Sequence, residues 1–172
     1  MLEFPRQRLD PARTPWHITW GTYGARLHGS AAPTVDKDHN RRGEPFLPRD
    51  PRREESVRQI MTGDAVRLTE PQRDFLEESI PAVCERGGWT YRVCAAGPDH
   101  VHVLCDVLPH IHGEKVRRLL KRWLGQALDE QWPDARRSRW RAVEGSNRAI
   151  HDEGYLNNAF GYLARQRTSP LK

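Results

Sequence analysis

Hydrophobic positions change period several times along the chain, and each change marks an element. The segment 16–24, WHITWGTYG, has strand composition and ends in a glycine turn. Residues 28–60, centred on DKDHNRRGEPFLPRDPRREE, hold prolines and charges with no apolar period, which predicts a polar insertion carrying a short helix near 54–61. Helical spacing returns with Phe75, Leu76, Ile80, Val83 and Cys84. Thr69 is the expected N-cap, Pro71 suits the first turn and Gly87-Gly88 stop the helix, giving a span of 70–86 with a kink expected at Pro81. GWTYRVCAAG then alternates, with Trp89, Tyr91 and Val93 expected on one face, and GPD at 97–99 makes a turn. HVHVLCDV at 100–107 alternates again: Val101, Val103, Cys105 and Val107 point one way, and His100, His102, Leu104 and Asp106 the other. Val116, Leu119, Leu120, Trp123, Leu124 and Ala127 form the stripe of an amphipathic helix over 113–131, ended by Pro133. A strand-like piece at 140–143 leads to a final helix at about 156–167 with the stripe Leu156, Ala159, Phe160 and Leu163.

Without the insertion and the last helix the order is βαββαβ. That is the pattern of an α+β, ferredoxin-like split βαβ fold, an antiparallel sheet with two helices on one face. The other face is left for a ligand or for the last helix. A chain of 172 residues fits one domain spanning 1–172, with the polar insertion at about 28–60.

Composition narrows the function. Hydrophobic residues at 37% and six Trp suffice for a core, which excludes global disorder. No run reaches the roughly 18 apolar residues of a membrane span, and the first fifteen residues have no apolar stretch of the kind a secretory signal needs. Cys84, Cys94 and Cys105, an odd number without close-pair metal spacing, read as reduced thiols of a cytoplasmic protein. The net charge of +5 is unevenly placed: from His110 onward there are 13 Lys or Arg against 7 Asp or Glu. A basic C-terminal third suits a polyanion, most simply nucleic acid, although a merely solvated basic face has the same composition.

The sharpest chemical feature is His100-Val101-His102. On a strand, positions i and i+2 share a face, so two imidazoles would converge and could bind a divalent cation; two polar residues on a solvent face look the same. His110 and His112 repeat the spacing between Pro109 and Gly113, where a surface loop is expected. His17, His28, His39 and His151 have no partner at ligand spacing. Tyr162 and Gln166, four apart on the last helix, share a face beside its apolar stripe, a position equally suited to packing at a helix–sheet seam.

Taken together, PDHVHVL, a basic amphipathic helix containing KVRRLLKRWLG, and a closing helix with Tyr-x-x-x-Gln resemble the HUH single-tyrosine transposases (His, bulky hydrophobic, His). The nearest likeness is to the REP-associated tyrosine transposases. WHITWGTYGARLHG, GWTYRVCAAGPDHVHVL, WRAVEGSNRAI and FGYLARQ extend it from about 16 to 166. By position, the resemblance implies that Tyr162 is the nucleophile and that His100, His102 and Gln166 are metal ligands. It also implies Mg²⁺ or Mn²⁺, single-stranded or hairpin DNA as partner, no membrane, and a monomer or homodimer. Ligand chemistry alone leaves Zn²⁺ and Co²⁺ open.

The implied reaction is metal-dependent nicking and strand transfer of single-stranded DNA through a 5′-phosphotyrosine. It suits these residues. A phenol with a reference pKa near 10 is a weak nucleophile at neutral pH, and a bound cation polarises the phosphate and offsets the charge that develops. Lys115, Arg118, Lys121, Arg122 and Arg148, with Arg136, Arg137, Arg139 and Arg141, are the expected phosphate contacts. The alternatives are a non-catalytic nucleic-acid-binding module of the same fold and a small metal-dependent hydrolase.

Overall fold

In β1 (Thr14–Gly21) the alternation sends Trp16, Ile18 and Trp20 into the core and leaves His17 and Thr19 on the opposite face. This strand is the centre of the fold in the computed structural model, which describes residues 4–25, 48–61, 63–133, 140–142 and 145–168. The elements that follow are α1 (Pro51–Gln59), α2 (Glu70–Arg86), β2 (Thr90–Ala96), β3 (His100–Val107), α3 (Gly113–Gln131), β4 (Ser146–Ala149) and α4 (Glu153–Gln166). The strands form one sheet in the order β2-β3-β1-β4, each neighbour antiparallel to the next. This is an α+β, ferredoxin-like split βαβ sheet.

Most of the insertion, 28–47, lies outside the described residues, and its C-terminal part forms α1, capped by the Asp50 carboxylate on the amides of Arg52 and Arg53. Two helices cover one face of the sheet. α2 begins at Thr69, whose capping box includes Gln72 returning to the Thr69 amide, and packs on β2. α3 packs on β1, on β4 and against α2. Between these helices and the sheet lie Trp16, Ile18, Trp20, Val101, Val103, Cys105, Val107, Leu76, Ile80, Val116, Leu120 and Leu124. On the other face α4 lies over β2 and β3 and buries Leu156, Phe160 and Leu163 against Val93, Ala95, Leu104 and Ile150. At about 1.5–3 kcal/mol per large apolar side chain, three such residues hold α4 to its own sheet by several kcal/mol.

The N-terminal lead-in reinforces this contact. The Gln7 amide donates to Asn157 Oδ1 at 2.8 Å and Asn157 Nδ2 returns to the Gln7 carbonyl at 2.9 Å. The Leu9 amide reaches Glu153, and Phe4 meets Phe160 edge to face. A bidentate pair between Arg92 and the buried Asp106 supplies further donors to Gln7 and to the Arg8 carbonyl.

Two strand assignments are corrected. Trp89, Tyr91 and Val93 do not share a face, because a register shift between Tyr91 and Val93 breaks the alternation. Trp89 and Tyr91 stay with the α2–α3 core while Val93 turns to α4. The last strand is the polar SNRA of β4; of the strand-like piece expected at 140–143, the described residues 140–142 form only an isolated bridge from Arg141 to Thr22, and Val143 lies outside the described residues.

Candidate functional site

The β2–β3 turn places both histidines of the HUH triplet. The Gly97 amide donates to the His100 carbonyl at 2.8 Å. The turn carbonyls are held from outside: Pro98 accepts from the Leu68 amide and Asp99 from the Thr22 amide. His100 and His102 then point to the α4 face, with ring centroids 4.9 Å apart. A Cβ on Gly97 would come within 2.7 Å of the His100 ring, so glycine is what lets that imidazole lie against the turn. His100 Nδ1 lies 2.5 Å from Asp99 Oδ1, which fixes the ring from its own neighbour.

The strand pairing adds two residues that the sequence pattern leaves aside. Thr19 stands directly opposite His102, and His17 lies two positions along the same face. His102 Nδ1 is 2.9 Å from Thr19 Oγ1 and 3.1 Å from His17 Nε2. His17 therefore does have a histidine partner, across the ladder rather than along the chain. Burial, and then the nearby Arg148 charge, lower the His17 pKa to about 4, so its ring is neutral at pH 7. The alternation Trp16, Ile18, Trp20 announces that His17 faces away from the main core, but the β1–β3 register that brings it to His102 is a long-range fact.

α4 supplies the tyrosine. Asp152 caps it on the Tyr155 amide at 2.7 Å, and its apolar stripe fixes the roll that turns Tyr162 outward. Tyr162 is 46% exposed, yet its ring stands edge to face against His102 with centroids 6.1 Å apart. The structure thus brings His100, His102 and Tyr162 together. Gln166 is exposed one turn beyond Tyr162 at the end of α4. Arg148, exposed on β4, shares the His17 face and lies 4.2 Å over the Tyr155 ring.

The basic residues separate into two groups. Lys115, Arg118 and Arg122 are exposed on α3, on the side of the sheet opposite the histidines. Lys121 is corrected as a phosphate contact. It is 7% exposed, in an apolar crevice with Trp20, Leu68, Leu124 and Trp140, and its ammonium donates to the Ala142 carbonyl at 2.5 Å. Arg117, one turn earlier, donates to the Gly145 carbonyl. Both fasten α3 to the chain entering β4. Arg141 is half-buried in the same crevice, with its pKa lowered by burial against a countering Asp129 charge. Arg136, Arg137 and Arg139 lie outside the described residues.

His110 and His112 do not form a second pair. His112 caps α3 on the Glu114 amide at 3.2 Å and packs on Trp16, and His110 is exposed. Among the described residues, no group of three or more His, Cys, Asp and Glu side chains is placed to hold a metal ion. An ion at His100 and His102 would need the Gln166 amide, or substrate and water oxygens, to complete its coordination. Two imidazoles and an amide oxygen fit a divalent ion of mixed nitrogen and oxygen preference. None of the helices searched among the described residues is long and apolar enough to cross a membrane.

No family model and no curated protein matches the chain. Among solved structures it is similar to a crystal structure from Deinococcus radiodurans R1 described as a "putative transposase". The identity is 12% and the TM-score 0.50, over 96% of this chain and 100% of that one. At that identity the likeness speaks for the fold, and the reading of the site rests on the site itself.

Proposed function

We propose that the chain is a metal-dependent nicking and rejoining enzyme for single-stranded DNA, of the HUH single-tyrosine transposase kind. The observation that supports this reading is the approach of the exposed Tyr162 to His102 on the face that His100 shares. A nucleic-acid-binding module needs a basic surface but has no use for a phenol beside two imidazoles. A Mg²⁺ or Mn²⁺ ion held by His100, His102 and Gln166 would polarise the scissile phosphate.

Tyr162 Oη then attacks phosphorus. The tyrosyl O–P bond forms, the P–O3′ bond breaks, the phenolic proton passes to water and the departing 3′-oxygen takes a proton from solvent. The 5′-phosphotyrosine conserves the bond energy, so a 3′-hydroxyl attacks it in turn, rejoins a strand and restores the phenol. Arg148 is the phosphate contact on the histidine face. Lys115, Arg118 and Arg122 engage DNA extending past it, such as a hairpin stem.

The direct test is to incubate the protein with end-labelled single-stranded DNA carrying a hairpin, with Mn²⁺, and to look for a covalent adduct after denaturation. Wild type is expected to form one. Tyr162→Phe is expected to lose it while binding DNA within a few-fold, because only one oxygen is removed. An adduct that survives Tyr162→Phe and disappears in Tyr155→Phe would move the nucleophile to Tyr155.

A further inference from the structure

We propose that His17 is a positioning residue for His102: its Nε2 accepts a hydrogen bond from His102 Nδ1–H, and so sets the tautomer in which His102 presents the Nε2 lone pair. The proposal rests on the reading of His102 as a metal ligand.

The geometry carries it. His17 Nε2 lies 3.1 Å from His102 Nδ1, the centroids are 5.2 Å apart and the rings are tilted by 40°. A neutral imidazole has one N–H and one lone pair, so a His102 that binds an ion through Nε2 must carry its proton on Nδ1. That proton needs an acceptor. Thr19 Oγ1, at 2.9 Å, is near enough but ambivalent, since a hydroxyl donates as readily as it accepts. If Thr19 alone faced Nδ1, its O–H could donate and leave the His102 proton on Nε2, the wrong nitrogen for an ion. His17 biases the choice when its own proton sits on Nδ1, which leaves its Nε2 only a lone pair; that tautomer is part of the proposal, and the same spectra read it.

The other histidine has the same design with a different partner. His100 Nδ1 is held by Asp99 Oδ1 at 2.5 Å, so both rings are oriented through Nδ1, one by a carboxylate in sequence and one by an imidazole across the ladder. Outer partners of this kind fix ring orientation and are typically worth about 10–100-fold in metal affinity. His17 is itself held in place by the strand. Trp16 and Ile18 on either side are buried in the opposite core, and Arg148 is its register partner on β4.

The test uses metal-free protein labelled with ¹⁵N-histidine, in which two-bond ¹H–¹⁵N spectra show which ring nitrogen carries the proton, together with Mn²⁺ titration. In wild type, His102 is expected to be protonated on Nδ1. His17→Phe keeps a ring of similar shape and removes the acceptor; it is expected to move His102 toward the Nε2–H tautomer and to weaken Mn²⁺ binding about tenfold or more. His17→Gln restores an acceptor oxygen and is expected to recover both readouts, a rescue that a purely packing role would not give. Thr19→Val is expected to leave the tautomer in place, and it keeps the question answerable if His17→Phe does not fold. An Nδ1–H His102 in folded His17→Phe, or a tautomer that changes in Thr19→Val instead, would overturn the proposal. Mn²⁺ uptake unaffected by His100→Ala and His102→Ala would defeat the metal reading, whereas the tautomer spectra of the metal-free protein judge His17 separately.

Discussion

Arg167, the residue after α4, reaches Glu77 of α2, with Nη2 and Oε2 3.6 Å apart and the Glu77 side chain fully buried. The two helices lie on opposite faces of the sheet, so the pair closes over the edge strand β2. Glu77 Oε1 also accepts from the amides of Ala96 and Thr168 at 3.0 Å each, and Arg167 Nη1 donates to the Cys94 carbonyl at 3.2 Å. With Gln7 and Asn157 joined nearer the start of α4, the tyrosine helix is fastened to its own sheet on both sides of Tyr162.

Removing the cation should therefore loosen the helix as well as destabilise the fold. Arg167→Met takes a cation away from the buried Glu77 carboxylate and leaves its bonds from the Ala96 and Thr168 amides, and breaking a buried pair from one side costs about 3–5 kcal/mol. The surviving amide bonds put the expected loss at about 3 kcal/mol, read by urea denaturation. Amide exchange in the last turn of α4 should rise with it. A loss no greater than that of an exposed arginine would show that the clasp contributes little.

The same cluster sets an alkaline limit. Burial pushes the Cys94 thiol up to about 11 and raises Tyr91 above its ordinary range, and the Tyr91 hydroxyl donates to Cys94 Sγ. The native state thus holds these protons more tightly than the unfolded chain. Their stabilising contribution is complete below about pH 9, where an unfolded thiol is still protonated, and is lost as pH rises toward 11. Stability measured from pH 8 to pH 11 should fall, and Cys94→Ala should flatten the fall. Native Cys94 should also resist thiol reagents at pH 8 and react on unfolding.

How much of this was legible in the sequence depends on how local each feature is. The bounds of α2, β3 and α3 follow from neighbours: Thr69 and Pro71 with Gly87-Gly88, the strict alternation after His100, and the stripe from Val116 to Ala127. The sharing of a face by His100 and His102 is equally local. The contact between His17 and His102 joins residues 85 apart and depends on the β1–β3 register. Arg92 gives no sign in composition that it interrupts an alternating run, and β4 is hidden because a short edge strand needs little apolar content. Lys121 looks like its basic neighbours until the Ala142 carbonyl is seen to accept from its ammonium.

Gly97 offers a test of the site that leaves its functional groups intact. Gly97→Ala would place a methyl group within 2.7 Å of the His100 ring, which must turn or shift to accommodate it. The turn has no positive φ at this position, so the backbone itself accepts alanine. Displacement of a ligand ring by about 1 Å can cost on the order of 100-fold in rate. Adduct formation should fall by about that much while the circular dichroism spectrum and DNA affinity are kept. Wild-type adduct formation in this variant would show that His100 is free to move without consequence for the chemistry.

Salt dependence separates the exposed cations from the internal ones. Removing a cation that neutralises one phosphate of single-stranded DNA should reduce the log–log slope of affinity against salt by about 0.7. Arg118→Ala with Arg122→Ala should lower it by about 1.4 if both touch phosphate, and Arg148→Ala, on the histidine face, by about 0.7. Lys121→Met keeps the apolar stem and removes the ammonium that holds the Ala142 carbonyl. It should leave the slope unchanged and lower stability by about 1–3 kcal/mol through the unpaired carbonyl. Because α3 and the histidines occupy opposite faces, the comparison also maps the DNA. A change confined to Arg148 would keep the strand on the α4 face, whereas a change confined to Arg118 and Arg122 would carry it across α3, away from Tyr162. The second outcome would count against cleavage at this site, because the phosphate bound most strongly would lie on the wrong side of the sheet for the tyrosine to attack.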